Sequence, residues 1–280
     1  YDDNGNILSV SDGTYTTSYV YDTLNQLVRE NNQRANKTWT WDYDEAGNIL
    51  SKREYAYTTG TPGTPIDTIA YSYGNGGWND LLTSYDGKAI TYDGVGNMLS
   101  DGKSTYSWKH GRQLESMSGY YGSWEFTYNA DGLRTARSSP YWAADYKYHY
   151  SGDKLVRLEL WEEFNEIFIE GYMEFSYDAN GTPLSANYNL RHYETYDCYD
   201  PNNDNYDDII LSEEFYVGTF YYVTNLQGDV VALVDENGDL IAEYSYDAWG
   251  KHLQTQYYID FHYIAYYNPL RYRGYVYDYE

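Results

Sequence analysis

The chain has 280 residues and a formal net charge of −25, from 43 acidic and 18 basic residues. Such a surface repels phosphate backbones and anionic lipids, so the composition argues against nucleic-acid binding and against binding to an anionic membrane. A single cysteine rules out an internal disulfide, and no apolar run approaches the ~18 residues that a membrane span needs.

Aromatic residues make up 20% of the chain, and 40 residues are tyrosines. Tyrosine is apolar along its ring and polar at its tip, which suits the half-buried face of a β-sheet. Together with 24 glycines, this composition predicts an all-β protein built from many short strands and tight turns.

One stretch, Tyr43 to Leu50, contains the residues of a complete β-hairpin corner. Tyr43 ends an incoming strand, Asp44 can hydrogen-bond to the turn backbone, and Gly47 supplies the positive φ of a tight turn. Ile49 and Leu50 then begin the outgoing strand. We therefore predict a turn in which the aspartate has a structural role.

The same corner recurs along the chain, at steps of mostly about 16 to 30 residues. Further copies begin at Tyr1, Tyr21, Tyr73, Tyr92, Trp108, Tyr128, Tyr150, Tyr177 and Tyr246. The repetition favours turn chemistry over a catalytic carboxylate pair for the acidic residues of the corners, which are Asp2, Asp22, Asp44, Asp93, Asp178 and Asp247. Such a rhythm is typical of repeat proteins in which each unit packs against its neighbours.

Between the corners, aromatic residues alternate with the period of two that indicates a strand. The alternating sets are Trp39, Trp41 and Tyr43; Trp124, Phe126 and Tyr128; Tyr146, Tyr148 and Tyr150; and Tyr275, Tyr277 and Tyr279. The stretch Thr59–Pro65 is predicted to be a loop between two strands, because its prolines would interrupt a ladder. Residues 155–171 could form a helix, but the alternation of the later half favours two strands around an acidic corner near Trp161–Glu166.

The repeat rhythm is lost in the polar stretch 187–218, which we predict to be an irregular insertion. This interpretation divides the chain into a hairpin array at 1–186, the insertion at 187–218 and a further segment at 219–280. A repeat unit opens at Tyr1 and another begins near Tyr277, which predicts that the sequence is a portion of a longer protein. Exposed strand edges of such a portion predict self-association.

Two loops are candidates for ligand binding. Asp200, Asn202 and Asp204 place oxygen atoms at alternate positions, as in a calcium loop, but Asn205 stands where that loop needs glycine. A solvated loop is the alternative. The glycine-rich stretch 74–77 could suggest a phosphate cradle, but strands rather than a helix are predicted beside it.

Reactive side chains give no recognisable site. Cys198 and the five histidines, which are His110, His149, His192, His252 and His262, share no metal-ligand or nucleophile spacing. Arg271 and Arg273 alternate on a predicted strand, where interstrand ion pairs are expected, with a contact to enclosed cargo as the alternative. The sequence thus nominates no catalytic, cofactor-binding or metal-binding residue.

The stretch 219–280 carries a more specific pattern. Two corners, in 221–231 and 233–238, precede Tyr-Asp-Ala-Trp-Gly at 246–250 and Pro-Leu-Arg-Tyr-Arg-Gly at 269–274. In this order the segments resemble the core segment of bacterial YD-repeat, or RHS, proteins. The upstream corners resemble the Tyr-Asp repeats of the same family, so the resemblance covers nearly the whole chain.

The resemblance implies a long antiparallel sheet of repeated hairpins that winds as a spiral into part of a hollow shell. In that family the shell commonly encloses a C-terminal toxin, and the proteins are secreted or associated with the cell surface or cell wall. The implied function is a non-enzymatic scaffold that encloses and delivers an effector of the same polypeptide in bacterial competition. Some related shells cleave themselves through acidic residues downstream of the core motif, a segment outside this sequence.

The charge, the lack of a long apolar run and the lack of a ligand motif predict no cofactor, no nucleic-acid partner and no membrane insertion. A different function is also open from the residues. Exposed tyrosines and tryptophans stack well on sugar faces, so the chain could instead be a cell-surface adhesin that binds glycans or a protein through its aromatic strands. A hydrolase has no motif in its favour.

Overall fold

The computed structural model describes residues 1–74, 76–120, 122–139, 141, 143–200, 205–258 and 262–277. Over these residues the chain is almost entirely antiparallel β-structure, which confirms the predicted all-β class and the array of repeated hairpins. It forms two compact units, Tyr1–Thr105 and Tyr106–Glu280. The sequence rhythm did not indicate this boundary, and the three-part division stays a prediction.

The first sheet has eight strands in simple sequential order. They are β1 (Ser9–Ser11), β2 (Thr16–Tyr21), β3 (Leu27–Asn32), β4 (Lys37–Tyr43), β5 (Ile49–Ala56), β6 (Asp67–Tyr73), β7 (Leu82–Tyr85) and β8 (Lys88–Ala89). The corners after Tyr21, Tyr43 and Tyr73 each coincide with a register shift in the ladder. In the β4–β5 ladder, for example, Trp41 lies opposite Lys52, and the register shifts between Asp42 and Tyr43.

The second sheet has fourteen strands, which run in chain order from β9 at one end to β22 at the other. They are β9 (Thr91–Tyr92), β10 (Met98–Ser100), β11 (Thr105–Lys109), β12 (Gln113–Gly119), β13 (Gly122–Tyr128), β14 (Arg134–Ser139), β15 (Ala144–Ser151), β16 (Lys154–Phe164), β17 (Ile167–Tyr177), β18 (Pro183–Asp200), β19 (Asn205–Thr224), β20 (Val230–Val234), β21 (Leu240–Tyr246) and β22 (His252–Tyr257). A six-residue helix, α1 (His262–Tyr267), and a 3-10 turn at Tyr272–Gly274 follow β22.

The hydrophobic core lies on one face of each sheet, as the predicted alternation requires. Trp39 and Trp41 are only 3% and 2% exposed in the first unit. In the second unit the buried face carries a continuous cluster from Met117 to Phe220, and Ile264 of α1 packs against it. Aromatic and aliphatic side chains thus form the core, while polar residues alternate with them on the opposite face.

The irregular structure predicted for 187–218 is wrong over its described residues. The described part of this stretch belongs to β18 and β19, the two longest strands, which pair with each other from Ser185 and Tyr221 to Asp200 and Asn205. Polar residues are abundant here because one face of the hairpin points away from the core. The inward positions remain apolar, with Leu190 1% and Phe220 0% exposed.

Three other expectations have clear outcomes. The loop at Thr59–Pro65 is confirmed between β5 and β6. Residues 155–171 form two strands as predicted, since β16 and β17 pair around a tight turn at Asn165 and Glu166. The predicted strand at 275–279 is wrong over its described part, because the chain turns back after Arg271 and only an isolated bridge joins Leu270 to Val276.

Candidate functional site

The repeated corner is the best-defined element of the molecule. In the copy that begins at Asp44, the backbone N–H groups of Ala46 and Asn48 donate to the Asp44 Oδ1, at 2.9 and 2.8 Å. Two backbone bonds close the same turn, from Asp44 N–H to Asn48 and from Gly47 N–H back to Asp44. One carboxylate therefore holds the whole five-residue corner, as predicted for the acidic residues of the repeat.

The same hydrogen bonds recur, with distances from 2.7 to 3.1 Å, in nine corners of the described chain. Their first residues are Asp2, Asp22, Asp44, Asp93, Asn129, Asp178, Asn225, Asp235 and Asp247. All six aspartates that the sequence predicted for turn chemistry are confirmed in this role.

Two corners show that an amide can replace the carboxylate. Asn129 accepts the N–H groups of Asp131 and Leu133 through its side-chain oxygen. In the Asn225 corner the acid has moved to the fifth position, where Asp229 accepts a hydrogen bond from the Asn225 side chain at 2.7 Å. The corner therefore needs a hydrogen-bond acceptor at its first position and does not need a negative charge.

The fourth position of the corner requires a left-handed backbone. Gly47 has φ of 91°, and glycine holds this position in most copies. Asn25 takes the same place in the Asp22 corner with φ of 61°, which agrees with the prediction that it stands in for glycine.

A tyrosine precedes seven of these nine corners, and several of these tyrosines have a role that sequence reasoning missed. The Tyr43 hydroxyl donates to the backbone carbonyl of Leu27 at 2.7 Å. Leu27 is the first residue after the Asp22 corner, which joins β2 to β3. The β3–β4 turn lies at the other end of these strands, so the Asp22 and Asp44 corners are neighbours on one edge of the sheet. We call this contact, from a corner tyrosine to the residue after an earlier corner, a tyrosine staple.

Six tyrosine staples are present in the described chain, with distances from 2.7 to 3.1 Å. The pairs are Tyr21 with Ile7, Tyr43 with Leu27, Tyr73 with Ile49, Tyr92 with Leu82, Tyr177 with Leu155, and Tyr246 with Val230. Each staple links two successive corners on one edge, so the corners are fastened to one another as well as to their own strands.

The protonation of these groups follows their surroundings. Burial raises the pKa of Tyr43 and of Tyr177 to about 12, so both hydroxyls remain donors at any physiological pH. The Asn48 side chain, followed by the turn N–H groups, lowers the pKa of Asp44 below its usual value. The corner aspartate therefore stays ionised and accepts hydrogen bonds from the turn amides, and the tyrosine stays protonated and donates to the Leu27 carbonyl.

The segment after β22 is fastened by a buried arginine. Arg271 is 0% exposed, and its guanidinium donates to the carbonyl oxygens of Ala265 at 2.7 Å and Asn268 at 3.1 Å. It also lies 3.8 Å from the centre of the Tyr244 ring. The carbonyls at the end of α1 lack partners within the helix, so the arginine caps them. This corrects the expectation that Arg271 and Arg273 alternate on a strand.

The remaining sequence candidates do not converge on a site. Residues 201–204, which include most of the candidate calcium loop, and Asn75 of the glycine-rich stretch lie outside the described residues, as does the side chain of Cys198. His149 lies 3.4 Å from Glu159, His192 packs on Tyr263, and His252 bonds Thr255. Across the described chain, no group of three or more histidine, cysteine or acidic side chains is placed to hold a metal.

Curated proteins with a similar sequence share one name. The chain is 28% identical over 261 residues to a tRNA3(Ser)-specific nuclease WapA of Bacillus spizizenii, and 26% identical over 260 residues to the tRNA nuclease WapA of Bacillus subtilis. Both matches cover 93% of this chain but only 9% of the relative. No family model matches the chain. Similarity across nearly the whole chain supports the resemblance to YD-repeat, or RHS, proteins.

Some solved structures align with nearly the whole chain at low TM-scores. The crystal structure of TcdB2-TccC3-Cdc42 covers 96% of this chain at a TM-score of 0.35 and 13% identity, and a Photorhabdus luminescens Tc holotoxin pore covers 95% at 0.32 and 13%. The alignments span 19% and 16% of the respective matched chains. TM-scores below 0.5 do not establish a common fold, so the architecture rests on the hydrogen-bond ladders described above. No helix in the described part of the chain is long and apolar enough to cross a membrane.

Proposed function

We propose that the chain is a structural, non-enzymatic segment of a YD-repeat, or RHS, wall that encloses an effector carried in the C-terminal part of the same polypeptide. The tyrosine staple is the observation that carries the proposal. A wall that excludes solvent and proteases needs many hairpins in fixed register. Corners joined by a hydrogen bond such as that from Tyr43 to Leu27 supply this register along one edge.

The similarity to WapA proteins supports the toxin context. Those relatives are named tRNA nucleases, and the region that matches this chain makes up only 9% of their length. In this proposal the nuclease activity of such a protein belongs to another part of the polypeptide, and the present chain contributes the wall. We further propose that the protein is secreted or held at the cell surface and acts in competition between bacteria.

Limited proteolysis of the whole polypeptide tests the enclosure. The C-terminal region is expected to resist a protease in the wild-type protein and to become cleavable when Tyr43→Phe and Tyr177→Phe remove two staples. Tyr1→Phe is the matched control, because Tyr1 precedes the Asp2 corner but is 76% exposed. Enclosure is contradicted if the C-terminal region of the wild-type protein is cut as fast as the same region expressed alone.

The non-enzymatic role has a separate test. The purified 280-residue chain is incubated with total tRNA, and the products are separated on a denaturing gel. We expect no cleavage by the chain, whereas cleavage that survives further purification and is lost in a point variant of the chain would contradict the assignment.

A further inference from the structure

A groove of about 630 Å³ lies on the second sheet, on the face that points away from the hydrophobic core. Its side chains alternate along β15 to β19 with buried residues of the core. Most of them come from two neighbouring rows that run straight across the strands, and Arg157 lies in the row next to these. One row is Asp145, Trp161, Glu170, Arg191 and Phe215, and the other is Lys147, Glu159, Tyr172 and Asn189.

A glycine with a positive φ is among the residues that line this groove. Gly171 has φ of 145° within the eleven-residue strand β17, a conformation that residues with a side chain rarely adopt. A Cβ atom at this position would lie 2.0 Å from the carbonyl oxygen of Asn189. The backbones of β17 and β18 therefore approach closely here. Glycine adopts this conformation without strain, so β17 and β18 pair without a break at this point of the groove.

The groove is electrically balanced in an otherwise acidic protein. Its lining contains three carboxylates and three cations, which are Asp145, Glu159, Glu170, Lys147, Arg157 and Arg191. The formal charge of the whole chain is −25. Carboxylates pair with both arginines of the lining, so the groove presents no excess positive charge to a polyanion. Its paired polar groups suit a neutral ligand with many hydroxyls.

The two arginines are already held by carboxylates. Arg157 bonds to Glu159 at 3.0 Å and to Glu174 at 2.6 Å. Arg191 bonds to Glu170 at 2.9 Å and also to Glu213. Each guanidinium in addition covers an aromatic ring, as Arg157 does over Tyr172 at 3.9 Å. The polar groups are therefore fixed in place, which lowers the entropy lost when a ligand binds.

Three aromatic residues, Trp161, Tyr172 and Phe215, line the groove, and further rings pack beside Trp161. Trp161 lies 6.4 Å from Phe168, and Phe168 stacks on Tyr193 at 4.8 Å with the ring planes 5° apart. Phe215, at the end of the same row as Trp161, is 63% exposed. Flat rings beside fixed carboxylate, amide and guanidinium groups are the usual surroundings of a sugar, whose apolar face stacks while its hydroxyls exchange hydrogen bonds.

We propose that this groove binds a neutral oligosaccharide. Trp161 and Phe215 would contact the apolar faces of sugar rings. Glu170 would accept hydrogen bonds from the sugar hydroxyls, Arg191 would donate to them, and Asn189 would do both. Neither the wall nor an enclosed effector is needed for this site, so the proposal is independent of the proposed function. The sequence suggested glycan binding through the aromatic strands in general, and the present proposal assigns it to one groove.

Calorimetric titration of the chain with neutral hexasaccharides of N-acetylglucosamine, glucose, mannose and galactose tests the proposal. Phe215→Ala and Asn189→Ala are the groove variants. Tyr221→Ala is the matched control, because Tyr221 is an exposed aromatic residue on the same strand and face as Phe215 but does not line the groove. Circular dichroism melts confirm that each variant is folded.

At least one hexasaccharide is expected to bind, with affinity reduced about tenfold or more in each groove variant and changed by less than about twofold in the control. Hexalysine and a heparin hexasaccharide are titrated in parallel. The proposal is overturned if no neutral hexasaccharide binds, if binding is unchanged in both groove variants, or if only a charged ligand binds.

Discussion

Removal of a single tyrosine hydroxyl tests how the corners are joined. Tyr43→Phe deletes the donor of the 2.7 Å hydrogen bond to the Leu27 carbonyl and leaves the ring in place. Because the half-buried ring is kept, the variant creates no large cavity, and the lost stability reports the missing hydrogen bond. A net loss of about 0.5–1.5 kcal/mol in the free energy of unfolding is expected.

Urea unfolding followed by circular dichroism measures this loss. With an m-value of about 1–3 kcal/mol/M, a loss of about 1 kcal/mol lowers the midpoint by roughly 0.3–1 M. Tyr21→Phe and Tyr73→Phe remove the neighbouring staples, and the three losses should add, because the pairs share no partner. Tyr1→Phe, at an exposed corner tyrosine, should leave the midpoint unchanged.

High pH gives the same staple a second readout. Burial raises the pKa of Tyr43 to about 12 from the model-compound value of 10.0. A raised pKa means that the unfolded chain loses the proton first, so this contribution to stability is complete below pH 10 and is lost between pH 10 and about 12. Tyr43→Phe should flatten the fall of stability over this range. The account of the staple is refuted if Tyr43→Phe and Tyr1→Phe have equal midpoints and equal alkaline slopes.

The other predictions concern the corner and the segment after β22. Asp44→Ala should lower the urea midpoint because the Ala46 and Asn48 amides lose their acceptor, whereas Asp44→Asn keeps an acceptor and should not. The turn lowers the pKa of Asp44, so the carboxylate contributes to stability above about pH 4, and this contribution is lost as the pH falls through the lowered pKa. Asp44→Asn should therefore make the melting temperature less sensitive to acid. Gly47→Ala should cost about 1 kcal/mol at a φ of 91°, and Gly47→Asn should cost less; equal midpoints for the two variants would contradict the left-handed requirement. Arg271→Met should destabilise the second unit by about 3 kcal/mol and speed amide exchange in α1, whereas unchanged exchange would show that the guanidinium does not cap the helix.

The corners could be predicted from sequence because their chemistry is local. Asp44, Gly47 and the amides that they position lie within five residues of one another, so composition and spacing suffice. The tyrosine staple could not be predicted in this way. Tyr43 and Leu27 are 16 residues apart, and only the register of the intervening strands brings them together.

Polarity misled the interpretation of 187–218, although a signal was present. Ala186, Tyr188 and Leu190 alternate and are all buried, which is the period of a strand. The residues between them are polar because they lie on the face away from the core, where Arg191 pairs with carboxylates of both neighbouring strands. Polar composition alone thus does not distinguish a loop from a strand that is buried on one side.

The role of Arg271 depends on tertiary structure. Its partners are carbonyl groups at the end of α1, a helix of six residues that aromatic alternation could not predict. Alternating arginines suggest an exposed strand, yet this guanidinium is 0% exposed. Only the reversal of the chain after Arg271 places it against the helix end.

Electron cryo-microscopy of the whole polypeptide is the most direct test of the central claim, that stapled hairpin corners form a wall around an effector. The account predicts a closed β-sheet wall in which successive corners lie side by side on one edge, with density for the C-terminal region inside. An open sheet with the C-terminal region outside it would contradict the account.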